Sequence, residues 1–220
     1  RRDTDLFTDQ PRFHRLSGET RHHVQYHKPY AGSGGIYLVH RLDQPVEGVM
    51  VFAKNQKAAA SLSRQIKEHT TEKYYHAASR GHGVSGADKK EDNHDPAWHT
   101  LTDYISFDKR TNTSKITSEK DRQAKKAVLQ YRILSNECNK TEFDIKLLTG
   151  RHHQIRLQLA NIGYPLIGDT KYGKPASNNS GTGNVAGRTG SCVREQLALC
   201  SYKLVFDHPA TGERMTFELP

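Results

Sequence analysis

The stretch His40-Arg41-Leu42-Asp43-Gln44-Pro45-Val46-Glu47-Gly48 is the most informative part of this chain. Apolar runs lie before it at residues 36–39 and after it at residues 49–53, and its proline and glycine predict a sharp reversal between two strands. Asp43 therefore lies where a strand ends and turns back, which is a rigid mount for a reactive carboxylate. Taken alone, the pattern is more typical of an aspartate that caps a turn.

A second segment, Gly150-Arg151-His152-His153-Gln154-Ile155-Arg156, follows an alternating run that predicts a strand over residues 141–149. The apolar spacing after it predicts a helix over residues 151–162. In that helix His152 and Arg156 would be four residues apart on one face, beside N–H groups that suit phosphate. The alternative is a solvated basic helix face.

A third segment, Glu72-Lys73-Tyr74-Tyr75-His76-Ala77, places two adjacent tyrosines on a predicted strand. Because successive side chains of a strand point to opposite faces, one tyrosine can fill the core while the other lines a cleft. Considered separately, each is also typical of an ordinary aromatic residue in a strand.

In this order, the three segments resemble the RluA-type family of RNA pseudouridine synthases. Residues 163–169 and the pair His208-Pro209 also match that family, and the resemblance runs from about residue 28 to the end of the chain. It implies an α+β fold of the pseudouridine synthase type, with a mixed, largely antiparallel sheet, flanking helices and a central active-site cleft. No S4-like RNA-binding module is recognisable in residues 1–27, which we expect to be an N-terminal extension.

The resemblance implies roles for three residues: Asp43 is the catalytic aspartate, Tyr75 stacks on the flipped target base, and Arg156 pairs with Asp43. Other polar residues are expected to bind the substrate: His40, Arg41, Lys73, Arg151, His153, Gln154, Lys125 and Lys126. Pseudouridine formation breaks the C1′–N1 glycosidic bond, turns the uracil and rejoins it through C5, so no cofactor is needed. Asp43 would either attack C1′ or remove a ribose proton, and the sequence leaves both routes open.

Two positions depart from the family pattern and keep other functions open. Val46-Glu47 stands where members usually have Thr-Ser or similar, and Cys200 ends a late segment that ends in histidine in many members. One alternative is a basic RNA-binding protein without catalytic activity. The other is a hydrolase that uses Asp43 and Glu47 as a pair of carboxylates and releases free uracil.

Positive charge is in excess, since 33 Lys and Arg against 24 Asp and Glu give a formal net charge of +9. This is the expected electrostatic footprint of a protein that binds nucleic acid, here structured ribosomal or transfer RNA. Seven of the cations fall within residues 109–126, among Thr, Ser and Asn. We interpret this segment as a polar arm that grips backbone phosphates, with a solvated hairpin as the alternative.

A single domain over residues 1–220 is expected, because no proline-rich linker divides the chain. Strands are predicted at residues 36–42, 48–54, 73–79, 101–108, 126–134, 141–149, 201–206 and 215–219, and helices at residues 56–69 and 151–162. Two segments rich in Gly and polar residues, 80–99 and 174–191, are predicted to be mobile loops.

Several functional classes are disfavoured by what the sequence lacks. The three cysteines, at positions 138, 192 and 200, form no CxxC pair, and no HExxH motif is present. No signal peptide and no long apolar run are recognisable. We therefore expect a cytoplasmic protein that binds neither metal nor membrane, works as a monomer and has no obligate protein partner.

Overall fold

The computed structural model describes residues 6–8, 35–80, 97–137, 139–173 and 195–220. In chain order its elements are β1 (Leu6–Thr8), β2 (Tyr37–Leu38), β3 (Glu47–Gly48), β4 (Val51–Ala53), α1 (Gln56–Lys67), β5 (Glu72–Arg80), β6 (His99–Asp108), β7 (Thr113–Thr117), β8 (Lys125–Glu137), β9 (Lys140–Leu147), α2 (Gln154–Asn161), β10 (Leu199–Asp207) and β11 (Arg214–Glu218). The predicted loop over residues 174–191 lies outside the described residues, as do most of the predicted loop over 80–99 and of the extension over 1–27.

The chain packs into two compact units. The first unit comprises residues 1–42, 48–73 and 201–220, and the second comprises residues 43–47 and 74–200. The expectation of a single domain over residues 1–220 stays a prediction.

The first unit contains a three-stranded antiparallel sheet in the order β1-β4-β2, together with α1 and the antiparallel β10–β11 pair. Asn55 caps α1 by accepting the N–H of Ala58 at 2.8 Å, a contact typically worth about 1 kcal/mol. The side chain of Gln65 ties α1 to β10 through hydrogen bonds of 2.8 and 2.9 Å to the backbone of Asp207. The buried apolar core of this unit is Val49, Val51, Ala53, Ala58, Leu62, Leu204 and Phe206.

The sheet of the second unit has five antiparallel strands in the order β5-β9-β8-β6-β7. Phe143 and Ile145 of β9 are fully buried, as the alternation predicted, but Asp144 between them is buried as well, because Arg132 binds its carboxylate at 2.9 Å. Helix α2 lies against β6 and β7, and its Leu159 is fully buried. This antiparallel sheet with few helices confirms the α+β prediction.

The polar arm predicted over residues 109–126 contains a hairpin. Thr113–Thr117 forms β7, which pairs with the last five residues of β6. Asn112 lies in the turn with a φ of +51°, a conformation that asparagine tolerates well. The sequence did not predict β7 because Ile116 is its only large apolar residue, so no alternation is visible.

Helix α2 begins at Gln154 rather than at residue 151. His153 has left-handed backbone angles, φ +53° and ψ +28°, which a right-handed helix cannot include. His152 therefore lies in the turn before the helix and does not share a helix face with Arg156, contrary to the prediction. No helix in the described part of the chain is long and apolar enough to cross a membrane.

Candidate active site

Asp43 opens the turn that follows the first apolar run. Its backbone C=O accepts the N–H of Val46 at 2.6 Å, which closes a tight turn. Its half-buried side chain accepts, through Oδ2, the backbone N–H of His153 at 3.2 Å. The structure thus brings the first and second sequence segments together, although 110 positions separate the two residues.

His153 presents this N–H from a strained position, because a left-handed conformation costs a non-glycine residue about 1–2 kcal/mol. Its buried imidazole places Nδ1 2.9 Å from the hydroxyl of Tyr172 and packs against the ring of His152, with centroids 3.7 Å apart and the planes tilted by 34°. Burial, together with the charges of Arg156, His152 and Lys171, lowers the pKa of His153 to about 3. The imidazole is therefore neutral near pH 7 and serves to hold the turn.

Arg156 was expected to pair with Asp43, and this stays a prediction, because the hydrogen bonds of its guanidinium go to Asp169. Its Nε and Nη2 donate to both carboxylate oxygens of Asp169, each at 2.7 Å, in a buried bidentate ion pair. Burial lowers the pKa of the guanidinium, but the hydrogen bond and charge of Asp169 outweigh it, with smaller contributions from Tyr172 and Asp43, so the pKa is raised. The negative charge of Asp43 is one of the smaller contributions, and the two hydrogen bonds at Nε and Nη2 belong to Asp169.

Asp169 and Tyr172 are site residues that the sequence did not predict. Asp169 also accepts the N–H groups of Lys171 and Tyr172, at 2.9 and 3.0 Å. Burial raises the pKa of this carboxyl, but the Arg156 and backbone hydrogen bonds lower it by more. The ring of Tyr172 lies 5.4 Å from the guanidinium carbon of Arg156. The available signal was the matched segment 163–169, which ends in this aspartate.

Gly168 explains why that segment can approach the rest of the unit so closely. Its φ of +75° lies in the left-handed region, and a Cβ there would lie 2.2 Å from the backbone oxygen of Gln196. Only glycine fits both restrictions. The carboxylate of the next residue, Asp169, is thereby held at Arg156.

Gln154, expected to bind substrate, is a buried structural residue. Its Oε1 accepts the hydroxyl of Thr149 at 2.8 Å and the N–H of Arg151 at 3.0 Å. Its Nε2 donates to Gln158 at 2.9 Å, and Gln158 donates to Asp103 of β6 at 2.7 Å. Because both ends of its amide are bonded and its surface is 2% exposed, Gln154 fixes the turn before α2 to the sheet.

Arg151 lies beside the two lysines that were also expected to bind RNA. Its Nε donates to the backbone C=O of Lys126 at 2.9 Å. Lys125 and Lys126 open β8, and both side chains are exposed. The structure brings these three cations together, and their contact with RNA stays a prediction.

The two adjacent tyrosines point to opposite faces of β5, as predicted. Tyr75 is 7% exposed and lies opposite Ile145 on the buried face. Tyr74 is half-buried on the other face, where the Nζ of Lys146 lies 5.4 Å from its ring centroid. Base stacking by Tyr75 stays a prediction.

Three expected substrate-binding residues belong to the first unit. His40 Nε2 accepts the N–H of Val51 at 3.1 Å, and burial together with the charge of Lys73 lowers the pKa of His40 to about 4. Burial also lowers the pKa of Lys73. Arg41 is exposed. His40 therefore has a structural contact, and RNA binding by all three stays a prediction.

The sequence of these segments matches a known family. Residues 7–161 fit the family model described as RNA pseudouridylate synthase. The chain belongs to the RNA pseudouridylate synthase family. Membership confirms the resemblance stated from the three segments, all of which lie within the matched residues.

Three curated relatives show how much of a longer protein this chain resembles. It is 34% identical to an uncharacterized RNA pseudouridine synthase of Aquifex aeolicus, over 92% of this chain and 60% of that protein. It is 28% identical to ribosomal large subunit pseudouridine synthase D of Zymomonas mobilis, over 86% and 54%. It is 30% identical to tRNA pseudouridine synthase C of Yersinia pestis, over 82% and 67%. The chain thus spans roughly half to two thirds of these relatives' length.

A solved structure supports the fold. Human RNA Pseudouridylate Synthase Domain Containing 1 superposes with a TM-score of 0.61 and 25% identity, over 84% of this chain and 69% of that chain. This likeness confirms the pseudouridine synthase type of α+β fold. Within the described residues, no group of three or more His, Cys, Asp or Glu side chains is placed to hold a metal ion.

The neutral state of His153 predicts a pH dependence of stability. Its folded pKa of about 3 lies below the ordinary 6.5, so the unfolded chain binds more protons between these values. The free energy of unfolding should therefore fall as the pH drops from 6.5 towards 3. Asparagine tolerates the left-handed backbone, so His153→Asn should keep the turn and make the free energy of unfolding fall less. The control His76→Asn, at an exposed position, should leave the size of the fall unchanged. Urea titrations followed by the single tryptophan, Trp98, test this, and parallel curves for His153→Asn and its parent would contradict it.

Proposed function

We propose that this chain is an RNA pseudouridine synthase domain that isomerises uridine in ribosomal or transfer RNA, with Asp43 as its catalytic carboxylate. The observation that carries the proposal is the hydrogen bond from His153 N–H to Asp43, in a chain of the pseudouridylate synthase family. That N–H lies at the start of α2, where the helix dipole favours a negative charge. Asp43 is thus aimed by backbone rather than by a flexible side chain.

Asp43 would break the C1′–N1 bond in one of two ways. It can form an ester bond to C1′ that the C5 atom of the turned uracil later displaces, or it can remove the C2′ proton and return it at the end. In both routes C5 bonds to C1′ and loses its proton, while N1 gains one. The product is an isomer, and the residues need no redox group or external reactant.

The remaining parts of the site would support Asp43. Tyr75 would stack on the flipped uracil and replace the stacking that the base loses when it leaves the helix. The Arg156–Asp169 pair, covered by Tyr172, would hold the turn of His153 in place. In this arrangement Arg156 is a positioning residue for Asp43 rather than its direct partner.

The net positive charge of the chain and the names of its relatives both support RNA as the class of substrate. One relative is named for the large ribosomal subunit and another for tRNA, so both RNAs are substrates to test. Pseudouridines should be mapped in total RNA from cells with and without this protein. Loss of one site identifies the substrate, whereas an unchanged map together with RNA binding favours the inactive RNA-binding protein. Free uracil in a reaction with purified protein would instead identify the hydrolase.

Lys125 and Lys126 provide a test of the RNA-binding surface. Replacing both by Ala should weaken RNA binding and reduce the slope of log affinity against log salt concentration by about 1.4, because each single-strand phosphate contact contributes about 0.7. The matched control is Lys57→Ala with Lys67→Ala, two lysines of α1. A slope unchanged in the first pair, or reduced equally in both pairs, would remove residues 125 and 126 from a specific RNA interface.

A further inference from the structure

A row of three aromatic rings in contact runs from the surface of the second unit to the residue whose backbone holds Asp43. Phe107, near the end of β6, is 37% exposed, and its ring centroid lies 4.1 Å from that of His152, with the planes tilted by 43°. The ring of His152 lies 3.7 Å from that of His153, whose N–H donates to Asp43. One end of this row of three rings therefore faces solvent, and the other end belongs to the residue that holds the candidate catalytic carboxylate.

The exposure of Phe107 contrasts with the rest of its strand face. Ile105, two residues earlier on the same face of β6, is only 4% exposed. A single exposed apolar side chain has no meaning by itself. Phe107 differs because it is the outer ring of a row that ends at His153, whose backbone N–H binds Asp43, so a group placed on it would lie on the side of the candidate site.

Hydrogen bonds fix the two histidine rings behind Phe107 before any ligand arrives. Ser114, the partner of Phe107 across β6 and β7, places its hydroxyl 3.0 Å from His152 Nδ1 and 2.8 Å from the His152 C=O. The N–H of Ser114 donates to the hydroxyl of Tyr172 at 2.9 Å, and that hydroxyl also bonds to His153. A preorganised platform loses little side-chain entropy when a flat group stacks on it.

Positive charge lies at the same end of the hairpin. Lys109 and Arg110 follow Phe107 closely and are exposed. Lys171 donates from Nζ to a backbone C=O in the turn, at 2.7 Å. The neighbouring acid, Asp108, is turned back onto the hairpin by the N–H of Arg110 at 2.8 Å. An aromatic face beside cations is the arrangement that proteins use to bind single-stranded nucleic acid.

We propose that Phe107, backed by His152, is a stacking platform for an unpaired RNA base close to the flipped uridine. The nature of the ligand rests on the proposed function, and the platform adds a second base contact outside the catalytic residues. Stacking accepts any base because every base has a flat face. The platform should therefore strengthen binding and orient the strand without choosing the target uridine.

Two probes of equal length and charge test the platform: a fluorescein-labelled oligouridine dodecamer and the corresponding abasic ribose-phosphate dodecamer. Phe107→Leu should weaken binding of the base-bearing probe by about tenfold and leave the abasic probe unchanged, because only a base can stack. Trp98→Leu is the matched control, since it removes an aromatic residue of similar exposure, 39%, just before the same strand. It should bind both probes like the parent.

A fluorescence variant gives an independent readout. Because the chain has one tryptophan, Trp98→Leu combined with Phe107→Trp places the only tryptophan on the platform. The base-bearing probe should quench its fluorescence and the abasic probe should not. This variant keeps a ring at the position, so it tests the proposal even where Phe107→Leu does not fold.

Three results would overturn the proposal: parent-like binding of the base-bearing probe by folded Phe107→Leu, an equal loss on both probes, or no base-dependent quenching of the tryptophan fluorescence of the double variant. All binding is repeated in the Asp43→Asn background, where no turnover is expected. Failure of the proposed function is recognised separately, because it is judged by pseudouridine formation and free uracil rather than by these affinities.

Discussion

Asp43→Asn is expected to abolish pseudouridine formation and to leave RNA affinity and stability close to those of the parent. Asparagine keeps the shape and an oxygen that can accept the His153 N–H, so the turn should survive. It cannot supply a negative oxygen to C1′ or take a proton from the ribose. Because such a step is typically worth about 10²–10⁴-fold in rate, the single-turnover rate should fall at least that far.

The measurement is tritium release from RNA labelled at C5 of uridine, since C5 loses its hydrogen when it bonds to C1′. Glu47→Gln is the matched control, as its carboxylate accepts a hydrogen bond from Gln196 Nε2 and glutamine can accept the same bond. This control should retain most of the parent's rate. A comparable rate in Asp43→Asn would exclude Asp43 from the chemistry, and equal losses in both variants with free uracil would favour a carboxylate pair.

The sequence predicted the main elements of the fold because their apolar periodicity is strong. Helix α1 was expected at residues 56–69 and is found at Gln56–Lys67, and the predicted strand over residues 126–134 lies within β8. The short, polar β7 was not predicted, since it is recognisable only by its pairing with β6. The late start of α2 depends on the left-handed backbone of His153. Because His153 is not a glycine, its sequence position does not predict that conformation.

The contacts of the candidate site were predicted only in part, and the roles of its residues stay predictions. Asp43 and the segment of His153 and Arg156 are brought together as expected, but the partner of Arg156 is Asp169. Sequence chemistry indicates that a buried arginine needs a carboxylate, and it does not indicate which one. The choice depends on the close approach of the Gly168 backbone to Gln196, a tertiary feature that spacing along the chain does not contain.

Substitutions that break the Arg156–Asp169 ion pair are expected to lower the free energy of unfolding strongly. Arg156→Leu leaves the carboxylate of Asp169 buried without its partner, and Asp169→Asn leaves the guanidinium uncompensated, so each should lower the free energy of unfolding by about 3–5 kcal/mol. The double variant Arg156→Leu with Asp169→Leu removes both charges and should lose much less than the sum of the single losses. Urea titrations followed by Trp98, which lies in the second unit, report these values. Single losses that simply add would show that the two side chains act independently.

A pH series separates this ion pair from packing. The pKa of Asp169 lies below its ordinary 3.8, so the pair should contribute its full stabilisation above that pH and lose it as the pH falls through the lowered pKa. The double variant should lack this loss, because it has no carboxylate to protonate. The comparison pair is Arg132 and Asp144, 2.9 Å apart, in which the arginine is half-buried and the carboxylate is buried. If Arg156→Leu retains full tritium release wherever it remains folded, the pair stabilises the second unit without positioning Asp43. A lower rate in folded Arg156→Leu, absent from Arg132→Leu, would assign Arg156 the role of holding the turn that aims the carboxylate.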